Sequence, residues 1–340
     1  MNFQQLRSVR EAIRRDFSLT EVANALFTSQ PGVSRQIREL EEELGVEIFE
    51  RSGKRLVGLT APGTEILRIV ERLLLEADNL KRAGHEFSTI GEGRLLVATT
   101  HTQARYALPP VIAQFRREYP QVKLRLHQSA PEHIVAMLEA GEADIGIATE
   151  SLASRTGLAA LPAYRWHHAV IARRDHPIAS AGPLTLAEIA RYPLVTYDPG
   201  YTGRSRIDEA FESAGLVPDF TLTALDADVI KTYVEQGLGV GIVASMAVDP
   251  QRDTALAALD ASHLFAANTT RIAVRRGAYL RSYTYRFIEL LAPHLDQSVV
   301  TDAMDGIVPS DEDLLADERA AAAGAFANAE SFVRAGAVSA

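Results

Sequence analysis

Two sets of side chains in this sequence have the types and spacing for recognition chemistry. Pro31, Ser34, Arg35 and Arg38 follow Ser29 at intervals that share one face if the segment is helical, with Gln30 at its start as a further candidate. Arginine donates paired hydrogen bonds to a guanine edge, and serine or glutamine reaches other base edges or phosphates, so such a face suits the DNA major groove. The second set, Thr100, Thr102, Gln103, Thr149 and Thr202, consists of uncharged donors placed just after strand-like runs. Hydroxyls and amides at helix amino termini suit a small oxyanion, because exposed backbone N–H groups and the helix dipole favour negative charge there. Each threonine taken singly would serve equally as a helix cap or turn residue.

The elements needed to hold the first set are written into the chain. Ser18-Leu19-Thr20-Glu21 has capping-box spacing, and a short helix should run to Leu26. Ser29 can cap a second helix that tolerates Pro31 in its first turn and carries Val33, Ile37, Leu40 and Leu44 on its inner face. Taken alone, that helix could equally be a solvated amphipathic helix. The runs Ile48–Arg51 and Leu56–Leu59 around Ser52-Gly53-Lys54-Arg55 read as a hairpin, whose basic tip, Lys54 and Arg55, can reach a flanking phosphate or the minor groove. Thr60 then caps a long helix in which Ile66, Val70, Leu73, Ala77, Leu80, Gly84 and Phe87 alternate steps of four and three. That seam calls for a partner helix, or for packing on the protein's own core, and we take Ile66, Val70, Leu73, Ala77 and Leu80 as dimerisation positions. At 1.5 Å per residue the helix spans about 40 Å, enough to separate two DNA readers.

The second set sits in a different pattern. After the break at Ser88–Gly93, strand-like and helical runs alternate from Arg94 to Leu295: strand 94–99, helix 108–119, strand 123–127, helix 132–140, strand 143–149. Such units place the loops after strand carboxyl ends in a shared crevice. The expected divisions are a winged helix-turn-helix at 1–59, a linker and dimerisation helix at 60–90, effector lobe I at 91–163 with 267–298, effector lobe II at 164–266, and a loosely ordered tail at 299–340. Trp166, the one tryptophan, belongs to the core or flanks the crevice.

Composition removes other classes. The chain has no cysteine and four methionines, a reducing cytoplasm suits it, and its amino terminus shows neither a signal peptide nor a membrane span. The net charge of −9 is concentrated beyond Thr301, where eight acids against two arginines leave −6. Residues 1–60 balance nine basic against nine acidic side chains, and the basic ones gather where DNA contact is expected. Gly237, Gly239 and Gly241 fall between a helix and a strand, the reverse of a nucleotide fingerprint. His167-His168 would point to opposite faces of a strand, so no metal site is expected. With no nucleophile-base pair or cofactor motif, no catalytic residue and no cofactor are expected. A solute-binding protein with an accessory domain would need an export signal.

Gln30–Ile37 with Leu40-Glu41, Leu44-Gly45, Phe49-Glu50-Arg51 and Leu59–Gly63 resembles the LysR-type transcription regulators. Thr99–Tyr106, Asp144–Glu150, Gly237–Ala247, Arg281-Ser282-Tyr283 and Ala292–Leu295 extend the resemblance, across residues 1–298, to the branch of that family governing cysteine and sulfur genes. The resemblance implies an α/β multidomain protein with a winged helix-turn-helix, a long linker helix and a two-lobed effector domain like the periplasmic binding proteins. It implies a homotetramer, a dimer of dimers, on double-stranded promoter DNA, with RNA polymerase as a further partner. In that family Thr100, Thr102, Gln103, Thr149 and Thr202 match the effector pocket, which implies N-acetylserine, O-acetylserine, sulfate or thiosulfate as ligand. A sibling role in sulfonate and organosulfur use, responding to sulfate or adenosine phosphosulfate, fits the same motifs.

Overall fold

The computed structural model describes residues 1–88, 92–149, 151–153, 155–180, 182–307 and 310–316. It divides into two compact units, Met1–Ser88 and Thr89–Ala340. Half of the expected linker break, 89–91, and the tail from 317 onward lie outside the described residues.

The amino-terminal unit comprises α1 (Phe3–Arg14), α2 (Leu19–Ala25), α3 (Gln30–Leu44), β1 (Phe49–Ser52), β2 (Arg55–Leu59) and α4 (Ala61–Ser88). Side-chain caps set its helix starts: Asn2 closes a capping box with Gln5, Ser18 accepts from Glu21 N–H, Ser29 from Gly32 N–H, and Thr60 from Gly63 N–H. Leu6, Val9, Val22, Val33, Ile37, Leu40, Ile48, Phe49 and Leu56 form one core, so α3 is buried on the expected face except Leu44, which is 42% exposed at the helix end. The buried Glu41 carboxylate of α3 accepts from the Ile48 and Phe49 N–H groups at 2.9 and 3.2 Å and from the Arg51 guanidinium, fastening the hairpin to α3. Gly63 is required where α4 starts, because a Cβ there would lie 2.0 Å from the Ile48 carbonyl oxygen.

The long helix differs from a single partner-seeking seam. Val70 and Leu74 are buried in the unit's own core and Ile66 packs against it. The dimerisation reading of Val70 is therefore corrected, since a side chain enclosed by its own core has no surface left for a second helix, whereas Ile66 is half-buried and keeps part of its surface. Ile69, Leu73 and Leu80 are exposed, Leu80 at 76%, and Ala77 is half-buried, so the unpartnered apolar stripe begins one turn later.

The second unit contains two sheets. Lobe I is built from β3 (Gly93–Thr99), α5 (Leu108–Glu118), β4 (Val122–Gln128), α6 (Pro131–Glu139), β5 (Ile145–Ala148) and β6 (Leu158–Trp166). The chain crosses to lobe II, with β7 (His168–Arg173), α7 (Leu186–Ile189), β8 (Leu194–Tyr197), α8 (Arg204–Ser213), β9 (Phe220–Ala224), α9 (Ala227–Glu235), β10 (Val240–Ala244) and β11 (Leu256–Asp260). It returns through β12 (Asn268–Arg275) and ends in α10 (Ser282–Leu291), α11 (Gln297–Met304) and α12 (Asp311–Ala316). The strand orders are β4-β3-β5-β12-β6 and β11-β7-β10-β8-β9, and each sheet combines parallel and antiparallel pairs. The crossings therefore fall at His167 and at 261–267, which extends lobe I to Trp166 rather than 163.

The start of the expected loose tail is also corrected. Val300 and Ala303 of α11 are buried in the lobe I core, Leu315 of α12 is buried, and the Arg271 guanidinium on β12 pairs with Asp311. Asp296 caps α11 by accepting from Val299 N–H at 2.9 Å. No helix among the described residues is long and apolar enough to cross a membrane.

Candidate DNA interface and effector cleft

On α3, Pro31, Arg35 and Arg38 are exposed and Ser34 is half-buried, on the side away from Val33, Ile37 and Leu40, while Gln30 is exposed at the helix start. The Arg35 side chain, 81% exposed, pairs with Glu39 one turn on at 2.6 Å. That exposed pair is weakly held, because water and salt screen it, so the guanidinium can exchange Glu39 for a base edge. Lys54 and Arg55 are exposed at the tip of the hairpin, beyond the turn at Gly53.

The five expected effector residues come from separate elements of the second unit. β3 and β5 are parallel neighbours with Thr99 opposite Ile147, so Thr100 and Thr149 leave the same edge of the lobe I sheet. A π-helical turn at Gln103–Ala107 follows Thr102, and such turns cluster at functional sites. Thr202 lies just before α8, its Oγ1 3.3 Å from Thr102 Oγ1, so the two lobes meet hydroxyl to hydroxyl. Thr100, Thr102, Gln103 and Thr202 are 5, 0, 1 and 3% exposed, and Thr149 is half-buried.

Thr202 has φ +43°, a left-handed conformation rare for a β-branched residue. Such strain costs on the order of 1–3 kcal/mol and persists where the surroundings over-determine it. Those surroundings were not anticipated from the sequence. His168 Nε2 lies 3.3 Å from the Thr202 carbonyl oxygen, and Asn268 Nδ2 3.4 Å from His168 Nδ1. Burial pushes the His168 imidazole down to about 4, so it is neutral near pH 7. In lobe I, Gln103 Nε2 donates to Thr270 Oγ1 at 3.1 Å, Trp166 Nε1 donates to the same oxygen at 3.1 Å, and Tyr164 donates to Gln103 Oε1. Trp166 is thus a core residue with its N–H engaged beneath the cleft. The available signals were weak: a pair of adjacent histidines before an apolar strand, and an asparagine before two threonines.

The electrostatics of the cleft rest on neutral donors. Burial pushes the Tyr197 phenol above its ordinary range, so it remains protonated while accepting from Ala244 N–H at 3.0 Å. The neighbouring Arg204 is turned away: its guanidinium donates to the Tyr197 carbonyl at 2.6 Å and to Asp208 at 2.8 Å, and lies 4.0 Å over the Phe220 ring. A second cross-lobe contact centres on Asp228 of α9, which receives Tyr106 OH at 2.8 Å and lies 3.3 Å from both His101 Nε2 and Arg105 Nε. Burial works upward on that carboxyl, but hydrogen bonds from Tyr106 and His101 and the charges of Lys231 and Arg105 hold it below the ordinary range. His101, Asp226 and Asp228 offer ligand atoms within 4.8 Å of one another. Arg105 and Lys231 already balance Asp228, so the cluster fits a clasp between lobes better than a cation site.

Comparison with known proteins places this arrangement. A family described as LysR substrate binding domain matches residues 90–296, and the bacterial regulatory helix-turn-helix protein, lysR family, matches residues 3–64. The HTH-type transcriptional regulator SsuR of Burkholderia cenocepacia is 58% identical over 300 residues, 88% of this chain and 97% of its own. Regulator cbl of Escherichia coli is 54% identical over 290 residues, 85% and 92% of the two chains, and CysB of B. cenocepacia 50% over 312 residues, 92% and 100%. The crystal structure of the cofactor-binding domain of the Cbl transcriptional regulator superposes with a TM-score of 0.61 at 48% identity, covering 64% of this chain and 95% of that one. These relatives are transcription regulators rather than enzymes. The chain belongs to the LysR family of DNA-binding transcription regulators, a helix-turn-helix unit joined to a two-lobed effector-binding domain.

Proposed function

We propose that this chain controls genes of sulfur assimilation and cysteine biosynthesis, and that its interlobe cleft takes up a small sulfur oxyanion such as sulfate or thiosulfate, or an acetylated serine. The observation that carries the reading is the cross-lobe pair of Thr102 and Thr202 hydroxyls, buried beside Thr100 and Gln103. A small anion can be held by several neutral donors at a helix amino terminus without burying a countercharge. Relatedness to CysB supports the cysteine regulon. The higher identity to SsuR and cbl favours a second reading, control of sulfonate and organosulfur use in response to sulfate or adenosine phosphosulfate.

In this reading Gln30, Pro31, Ser34, Arg35 and Arg38 enter the major groove of promoter DNA while Lys54 and Arg55 hold flanking phosphates. The exposed stripe of Ile69, Leu73, Ala77 and Leu80 pairs the helices of two subunits within a dimer of dimers, and promoter-bound protein contacts RNA polymerase in the cytoplasm. A thermal-shift screen of the full chain with sulfate, thiosulfate, O-acetylserine, N-acetylserine and adenosine phosphosulfate tests the ligand class. Stabilisation by an acetylserine selects the cysteine regulon, and stabilisation by adenosine phosphosulfate alone selects the organosulfur reading. No shift with any of the five refutes both.

A further inference from the structure

The geometry points to His168 and Asn268 as positioning residues for the effector site: together they hold Thr202 in its left-handed conformation, so that its hydroxyl stands opposite Thr102. This inference rests on the reading of the cleft as an oxyanion site and names residues outside the expected five.

The polarity of the pair follows from its end point. A carbonyl oxygen only accepts, so His168 Nε2, 3.3 Å from the Thr202 oxygen, must carry the ring's proton. In the neutral ring Nδ1 is then a bare acceptor, and the group facing it at 3.4 Å, Asn268 Nδ2, must be the donor. The amide orientation of Asn268 is thereby fixed, with Oδ1 directed at Gly203. A Cβ on Gly203 would lie 2.3 Å from that oxygen, and Gly203 itself has φ +71°. Thr202 is gripped through its carbonyl by His168, and the following residue abuts Asn268. Both gripping side chains are buried, at 1 and 4% exposure.

Their location extends the consequence. His168 is the first residue of β7, immediately after one crossing between lobes, and Asn268 is the first residue of β12, immediately after the other. Asn268 also pairs in register with Trp166, the last residue of β6, whose ring meets His168 edge-on at 5.1 Å. One interlobe crossing therefore ends on His168, which holds the Thr202 carbonyl, and the other on Asn268, which holds His168 and abuts Gly203. His168 and Thr202 belong to lobe II while Asn268 and Thr102 belong to lobe I, so a change in the angle between the lobes moves Thr202 relative to Thr102, and an anion held by both hydroxyls restrains that angle.

The test uses the full chain and two independent readouts. Calorimetric titration with sulfate and thiosulfate is expected to show a loss of at least tenfold in anion affinity for His168→Leu, which cannot donate to Thr202. His168→Gln, whose amide can supply a donor, should recover much of that loss. Equal affinity of the Leu variant and wild type, or a Gln variant no better than the Leu variant, overturns the proposal. The near-isosteric Asn268→Asp, which replaces the donor to Nδ1 by an acceptor, covers the case in which His168→Leu does not fold. Nitrogen-15 NMR of the ring should show Nε2–H in wild type and protonation at Nδ1 in Asn268→Asp. A wild-type Nδ1–H tautomer, or a tautomer indifferent to Asn268→Asp, overturns the proposal. If wild type binds none of these anions while the tautomer is as stated, the effector reading fails and the hold on Thr202 stands.

Discussion

In the proposed reading, the DNA-facing surface and the interlobe cleft use opposite means to meet negatively charged partners. On α3 the donors are cationic and exposed, with the Arg35 side chain at 81% and the Lys54 and Arg55 tip open to solvent. In the cleft the threonine and glutamine donors are neutral and enclosed, and Arg204, two residues beyond Thr202, is bound to Tyr197 and Asp208. On that reading the difference follows from the size of what each surface would bind. A duplex cannot be engulfed, so its reader must project charge into solvent and gain from counterion release. A small anion can be enclosed, and there an unpaired cation would carry a large desolvation cost whenever the cleft stood empty.

Substitutions at matched positions sharpen this contrast. The largest effect is expected from Thr102→Asp, which places an unpaired charge at a fully enclosed position and should destabilise the sensing unit by about 3–5 kcal/mol. On the exposed α3 face, Gln30→Asp should leave the melting of its own unit within about 0.5 kcal/mol. Comparable melting losses in the two variants would erase the distinction. Next, Thr202→Ala should cost about 1.5–3 kcal/mol in anion affinity, the worth of a hydrogen bond to a charged group, with no loss of DNA binding in anion-free buffer. Undiminished anion binding in calorimetry would remove Thr202 from the site. Arg38→Ala should cost about 1–3 kcal/mol in specific DNA binding, read by anisotropy, while thermal melting of the sensing unit stays put. The smallest effect is reserved for Glu39→Gln, which frees Arg35 from an exposed ion pair and should change DNA affinity by less than about 1 kcal/mol, in the tightening direction. Weakened DNA binding there would mean that Glu39 holds Arg35 in its reading position.

Much of the first surface was legible because its determinants are local. Ser18, Ser29 and Thr60 cap the helices they were expected to cap, and Gly53-Lys54 turns a hairpin between two short strands. The long helix was less legible, since a seam of period 3.5 looks the same whether it meets a second subunit or the unit's own core. Only the fold distinguishes buried Val70 from exposed Leu80. In the second unit the strand alternation announced the α/β lobes and placed Thr100 and Thr149 at strand ends. The grip on Thr202 was hidden, because Thr202, His168 and Asn268 are brought together by two crossings that no local pattern encodes. Composition also misled at the carboxyl end: acids and alanines outweigh the apolar residues beyond 299, yet Val300, Ala303 and Leu315 suffice to seat two short helices on lobe I.

A ligand can act on DNA binding only through unequal affinity for two states of the protein, and the coupling is reciprocal. The most direct measurement is therefore the affinity of the full chain for its stabilising ligand, taken with the protein free and with it saturated by a duplex it has itself selected from random sequence. The account predicts dissociation constants that differ by about fivefold or more, the lower bound of ordinary allosteric coupling. Identical constants in the two states would contradict the claim that the threonine cleft is the regulator's sensor.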